Sequence, residues 1–196
     1  MRAAAVVAVL VVHNLVTNLW AQDRWYVRIN LATAALLVWV GGAGLTLGDP
    51  RPGVAAALVV LVVIGLATVL RPGLLADPRM DGVDAKGAAW RAVVRIPLGT
   101  VVLEEVAFRG VLPALVPPVA ASALFGLWHI LPTRRGVTRS PALIAAAVLA
   151  TAVAGQALWQ LRLATGGLAA PALVHAAANS GAVVAAYLVL RSRRRR

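Results

Sequence analysis

VAAALVVLVVIGLATVL, residues 54–70, is an unbroken apolar run without a single ionisable group. A helix that crosses a bilayer needs about 20 mostly apolar residues, so this stretch reads as a membrane span. Working outward, six further runs have the same character, at about 3–21, 29–47, 96–115, 118–132, 141–161 and 168–190. The expected fold is therefore an all-α, polytopic transmembrane helical bundle of about seven spans. Composition agrees. Hydrophobic residues make up 61% of the chain and charged residues 13%, whereas a soluble domain carries about 25% charged residues. The chain has no cysteine, which removes disulfides, thiolate metal sites and a cysteine nucleophile together.

The joints between runs are informative. His13, Asn14 and Asn18 interrupt the first run and no clean small-residue cleavage site follows, so it is read as a retained helix rather than a signal peptide. Pro113, Pro117 and Pro118 crowd the turn before the fifth run and predict a tight hairpin there. The long polar stretch RPGLLADPRMDGVDAKGAAWRAVVR, residues 71–95, ends in a segment expected to lie as an interfacial amphipathic helix. No internal repeat is visible. The organisation expected is N-terminal spans and a polar loop over 1–95, a helical core over 96–190, and a basic tail over 191–196.

The net charge of +12 comes from 18 arginines and Lys86, against five aspartates and two glutamates. So apolar a chain places basic excess in its cytoplasmic loops rather than on nucleic acid. On the seven-span reading, fifteen of the 19 basic residues share the side of the C-terminus: Arg24, Arg28, the five of 71–95, Arg134, Arg135, Arg139 and the five of the tail. Arg2, Arg51 and Arg162 lie opposite, and Arg109 falls inside a span. The tail is thus expected in the cytoplasm, with the N-terminus outside. Abundant Ala, Val, Gly and Arg with one Lys suggests a GC-rich bacterial genome and a plasma-membrane location. The expected partners are the lipid bilayer and a membrane-associated substrate, with no nucleic acid.

Both glutamates, Glu104 and Glu105, stand side by side in an apolar run. Ionisable groups within a span cost roughly 2.5–3.5 kcal/mol each on insertion scales and mark function by default. Three runs carry polar groups in the second half of the chain: LEEVAFRG (103–110), FGLWHI (125–130) and LVHAAANS (173–180). Neighbours on an α-helix are about 100° apart, which predicts that the two glutamates do not aim at one point. Glu105 and Arg109 are i,i+4 and expected to pair, leaving Glu104 free to face the interior. His175 and Asn179 share a face by the same spacing, as do Phe125 and His129, where the ring would wall the site. A carboxylate with two imidazoles can activate water directly or through a metal, and an amide such as Asn179 can stabilise an oxyanion. Ser122, Ser180 and Thr100 lie nearby without a nucleophile motif. A proton relay or ion pathway is the competing use of such a set.

In this order, these segments resemble the CPBP family, the CAAX prenyl endopeptidases of type II and bacteriocin-processing proteins, also called the abortive-infection family. Its E-E-x-x-x-R motif reads EEVAFRG from Glu104 to Gly110, its F-x-x-x-H reads FGLWH ending at His129, and its H-x-x-x-N reads HAAAN from His175 to Asn179. The resemblance covers about 96–190. It implies an intramembrane endopeptidase acting on membrane-associated or lipidated proteins. Glu104 would activate water together with His129, while His175 and Asn179 would complete the site with the amide on the oxyanion. Glu105 and Arg109 would support it. Glu104, His129 and His175 are a candidate zinc set, although no H-E-x-x-H helix is present, and a metal-free glutamate mechanism stands beside it. The alternatives are a non-catalytic membrane scaffold or immunity protein, and a proton-coupled transporter, which would require paired broken spans in two related halves. On these span limits Glu104 and His129 fall in the cytoplasmic half and His175 nearer the other face, an offset on the order of 10 Å. A fourth helix beginning near Ala88 would bring them level.

Overall fold

The computed structural model describes residues 1–20 and 22–194, and all regular structure among them is helical. Helices α1 (Arg2–Leu19), α2 (Tyr26–Gly41) and α3 (Arg51–Leu70) follow one another. A single rod then covers 85–111. It opens as α4 (Ala85–Trp90), widens into a π-helix over Arg91–Val101, tightens to α5 (Val102–Glu105) and widens again over Val106–Val111. After the proline-rich turn come α6 (Pro118–Trp128), α7 (Ile130–Gly136), α8 (Pro141–Thr165) and α9 (Ala169–Arg194). The chain is an integral membrane protein: α1, α3, α8 and α9 are each long and apolar enough to cross a bilayer.

The rod corrects two expectations. Asp84 caps it, its carboxylate accepting from the Gly87 N–H at 2.7 Å, so the helix starts well before 96. The stretch read as a separate interfacial helix is the rod's first half, and the boundary drawn between 95 and 96 falls inside it. Hydropathy missed this start because Arg91 and Arg95 sit in the early turns. Their charged heads reach polar partners beyond the rod, Arg91 the Arg79 carbonyl at 2.9 Å and Arg95 the Asp23 carboxylate at 2.7 Å. The span read as 118–132 is likewise two helices, broken at His129.

The basic loops gather as the charge count implied. Arg95 pairs with Asp23 of the first connection, Arg79 lies against Gly136 of the third, and Arg194 pairs with Asp81. All of these belong to one end of the bundle. Arg195 and Arg196 of the tail lie outside the described residues. At the opposite end, the loop 42–50 is bound to the start of α9: Leu168 and Ala169 donate to the Thr46 and Leu47 carbonyls at 2.9 and 2.8 Å, and Asp49 donates to that of Thr165 at 2.9 Å. These bonds fix where α9 enters, and hence the height of His175.

The core lies between α1, α2, the rod and α6, built from Val6, Leu10, Leu37, Leu103, Phe108 and Phe125. Inside a bilayer such contacts are held by close packing rather than by expulsion of water, which favours small residues where helices cross. Gly126 shows this, since a Cβ there would stand 2.5 Å from the Val148 carbonyl oxygen and 2.9 Å from Ala152 on α8. Gly65, on the lipid-facing α3, has open space around it. Gly126→Val should therefore cost about 1–3 kcal/mol through overpacking, read as a lowered melting temperature in detergent. Gly65→Ala should be neutral or slightly stabilising, because glycine in a helix interior is worse than alanine by roughly 0.5–1 kcal/mol.

Candidate active site

The rod and α9 bring the first and third motifs into contact. Glu104, Glu105, Arg109 and His175 are all buried. His175 Nδ1 donates to Glu105 Oε1 at 2.7 Å, while its Nε2 lies 3.4 Å from Glu104 Oε2. The two glutamates meet opposite edges of one imidazole rather than a single point. Their Cβ atoms do diverge around the helix, but an imidazole presents nitrogens on two edges, and each long carboxylate side chain reaches a different one. The short α5 turn that carries both glutamates is flanked by π-helical segments, a winding that is rare and frequent at functional sites.

The remaining partners fix the ring. Asn179 Nδ2 donates to His175 Nε2 at 3.0 Å, which places the histidine's proton on Nδ1, facing Glu105. Arg109 NH1 lies 3.3 Å from Glu105 Oε1, the i,i+4 pair expected from the spacing. Its guanidinium also sits 4.0 Å over the Phe125 ring, an attraction that strengthens where water is excluded. The offset in depth expected between Glu104 and His175 is absent. With the rod starting at Ala85, Glu104 sits near its far end, level with the first turns of α9.

His129 occupies the joint between α6 and α7. Its Nδ1 donates to the Phe125 carbonyl at 2.8 Å, leaving Nε2 as an acceptor. Phe125 is the common wall: His129 and His175 both pack edge-on against it, with ring centroids at 4.8 and 6.0 Å. The glycine at 155 makes room for that ring, because a Cβ would meet it at 2.9 Å.

Trp128 is a site residue that the sequence reading passed over. Its indole N–H donates to Glu104 Oε1 at 2.9 Å. Helix α1 holds it in turn, since His13 stacks on the indole at 5.8 Å and 13°, and Asn14 Nδ2 donates to the Trp128 carbonyl at 2.9 Å. His13 is itself oriented by Thr33 at 2.8 Å. Asn14 and His13 are thus interhelical contacts, while Asn18 bonds back to Asn14 within α1. The signal was present, as a donor-only indole beside a motif histidine in an apolar span needs an acceptor. No spacing rule names that acceptor across 24 residues.

The nearby hydroxyls are engaged elsewhere. Ser180 donates to the Ala92 carbonyl, Ser122 to Pro118 O and Gln156, and Thr100 meets the Tyr26 hydroxyl. The proposed zinc set does not fit. A zinc ion takes its protein ligands on one point, and Glu104, His129 and His175 do not form such a group. Among the described residues, no group of three His, Asp or Glu side chains converges to hold a metal.

The family model described as Type II CAAX prenyl endopeptidase Rce1-like matches residues 86–181. The match begins in the first turn of the rod and ends just past Asn179, so it contains all three motifs. Comparison with curated proteins and with solved structures finds no match.

Removing one member of a buried ion pair strands the other and costs about 3–5 kcal/mol. Arg109→Ala should lower the unfolding free energy in mixed micelles by that order. Glu105→Ala combined with it should cost less than the two losses added, because the residues share one interaction.

Proposed function

We propose that this chain, whose residues 86–181 match the Rce1-like family model, belongs with the CPBP intramembrane proteases and hydrolyses peptide bonds of membrane-associated or lipid-modified proteins with water activated by Glu104. One observation carries the mechanism. Glu104 is a buried carboxylate with one oxygen held by the Trp128 indole, and its other oxygen has no hydrogen-bond partner in the protein. A carboxylate anchored at one oxygen and open at the other is arranged to accept a proton from a bound water.

The steps follow from the side chains alone. Water at Glu104 Oε2 gives up a proton to the carboxylate as its oxygen bonds to the scissile carbonyl carbon, and the carbonyl electron pair moves onto oxygen. Asn179 commits one N–H to His175, and the second serves the developing oxyanion. Collapse breaks the C–N bond and the proton held by Glu104 passes to the leaving amine, so that peptide and water become acid and amine. His129, with Nδ1 anchored, offers Nε2 to orient the water. Glu105 and Arg109 hold His175 in the tautomer that accepts from Asn179. Phe125 limits access of further water. Because the donors do not converge, no step runs through a metal. By the positive-inside rule we place the basic end, with the tail, in the cytoplasm of a bacterial plasma membrane.

The test uses the full chain in lipid nanodiscs against a peptide library that includes C-terminally prenylated peptides. Glu104→Gln should lower cleavage by at least 10²-fold, the scale of general-base catalysis. His129→Ala should lower it too. Cleavage by Glu104→Gln at the wild-type rate would refute the base. Trp128→Phe, which keeps the ring but loses the N–H that anchors Glu104, should lower kcat about tenfold with KM little changed. Complete chelation should leave turnover intact, and loss of activity that zinc restores would overturn the metal-free scheme.

A further inference from the structure

Away from the motifs, α6, α7 and α8 enclose an open groove of about 1330 Å³. Its walls are apolar side chains at helical spacing, Leu127 and Leu131 on one side and Ile144 and Val148 on the other. One end is closed by Arg134, Arg135 and Arg139, all exposed and none paired with a carboxylate among the described residues. The opposite end reaches Ala152. From Pro141 to Ala152 the α8 wall rises roughly 17 Å at 1.5 Å per residue, close to one leaflet of a hydrocarbon core about 30 Å thick. The arginines belong to the basic end of the bundle, where the headgroups of that leaflet lie.

The chain's own acids narrow the choice of occupant. Asp23, Asp49, Asp77 and Asp81 are each paired with an arginine of this chain, and Asp84 caps the rod. Both glutamates are buried in the site. Among the described residues, a second copy therefore has no unengaged aspartate or glutamate to bring to three open guanidiniums. The complement of this groove is an anionic head joined to an apolar tail of leaflet length.

We propose that the groove is a binding site for one anionic phospholipid, with its phosphate on Arg134, Arg135 and Arg139 and an acyl chain along α6–α8. Basic pockets between transmembrane helices at the cytoplasmic side suit such headgroups. The lipid would lie against Leu127 and Ile130, the residues on either side of Trp128 and His129 in the chain, and so brace the joint that carries them.

The test is binding, and it stands whether or not the peptidase reading holds. Full-length protein stripped of lipid is titrated with phosphatidylglycerol or phosphatidylcholine of identical acyl chains, and retained lipid is read by native mass spectrometry. The wild type should retain one phosphatidylglycerol at least tenfold more tightly than phosphatidylcholine. Combined Arg134→Gln, Arg135→Gln and Arg139→Gln should lower that affinity by roughly tenfold or more. Ala145→Trp, which fills the groove with the arginines in place, should do the same, with Leu149→Trp as a second filler should the first fail to fold. The control, Arg191→Gln with Arg193→Gln, should bind as the wild type does. Equal retention of the two lipids, unchanged binding by the triple variant, or unchanged binding by the filled groove would each overturn the site. Inorganic phosphate that competes as well as the lipid would overturn the acyl-chain contact.

Discussion

The imidazole of His175 is the hinge of this structure. It is buried, its Nδ1 edge donates to Glu105 and its Nε2 edge faces Glu104 at 3.4 Å, both glutamates drawn from a single turn of the rod. Taking ionised groups into a low-dielectric interior is costly unless every charge finds a partner with good geometry. That constraint leaves little freedom in how α9 sits on the rod. Ser180 makes the alignment firmer one turn further on, donating to the Ala92 carbonyl at 2.7 Å. At the other end, the 46–49 loop holds the entry of α9 through backbone bonds. Helix α9 is thus fixed from above, below and within.

The rod meets the same constraint from its own side. Over 91–111 it is π-wound except for the turn at Val102–Glu105. A π-helix forgoes ordinary α-helical hydrogen bonds and persists only where its surroundings favour it. Here those surroundings are Tyr26 and Arg95 on one flank, with the guanidinium 3.8 Å over the phenol ring, and Phe125 with Arg109 on the other. The regular turn is the one that must deliver two carboxylates to one ring.

Much of the fold was legible because hydropathy and charge are local properties. The runs at 54–70, 141–161 and 168–190 appear as helices with nearly those limits, and the basic loops do share one end. The rod's start was not legible, since Arg91 and Arg95 depress hydropathy while reaching polar partners off the rod. At the site, i,i+4 spacing announced Glu105–Arg109 and His175–Asn179, both of which are contacts within one helix. The links between helices were hidden for the same reason. Neither Glu105 to His175, 70 residues apart, nor Trp128 to Glu104 follows from any periodicity. The first helices looked silent because they carry no motif, yet α1 grips Trp128 through His13 and Asn14. Helix α1 thus reaches Trp128 from outside the 96–190 stretch that carries the motifs.

A chain with 19 cations and seven acids faces a particular difficulty in keeping one carboxylate reactive. Every aspartate with a guanidinium in reach has been captured by it. Glu104 escapes because the one arginine near it is occupied twice over. Arg109 is directed to Glu105 by helical spacing, and the face of Phe125 holds its guanidinium at 4.0 Å. The neighbour that Glu104 does receive, the Trp128 indole, donates a hydrogen bond without carrying a charge. A lysine or arginine in that place would fill the open oxygen and lower the basicity a general base requires. The adjacent glutamate, expected from the spacing to pair with Arg109, is what holds that cation away from Glu104.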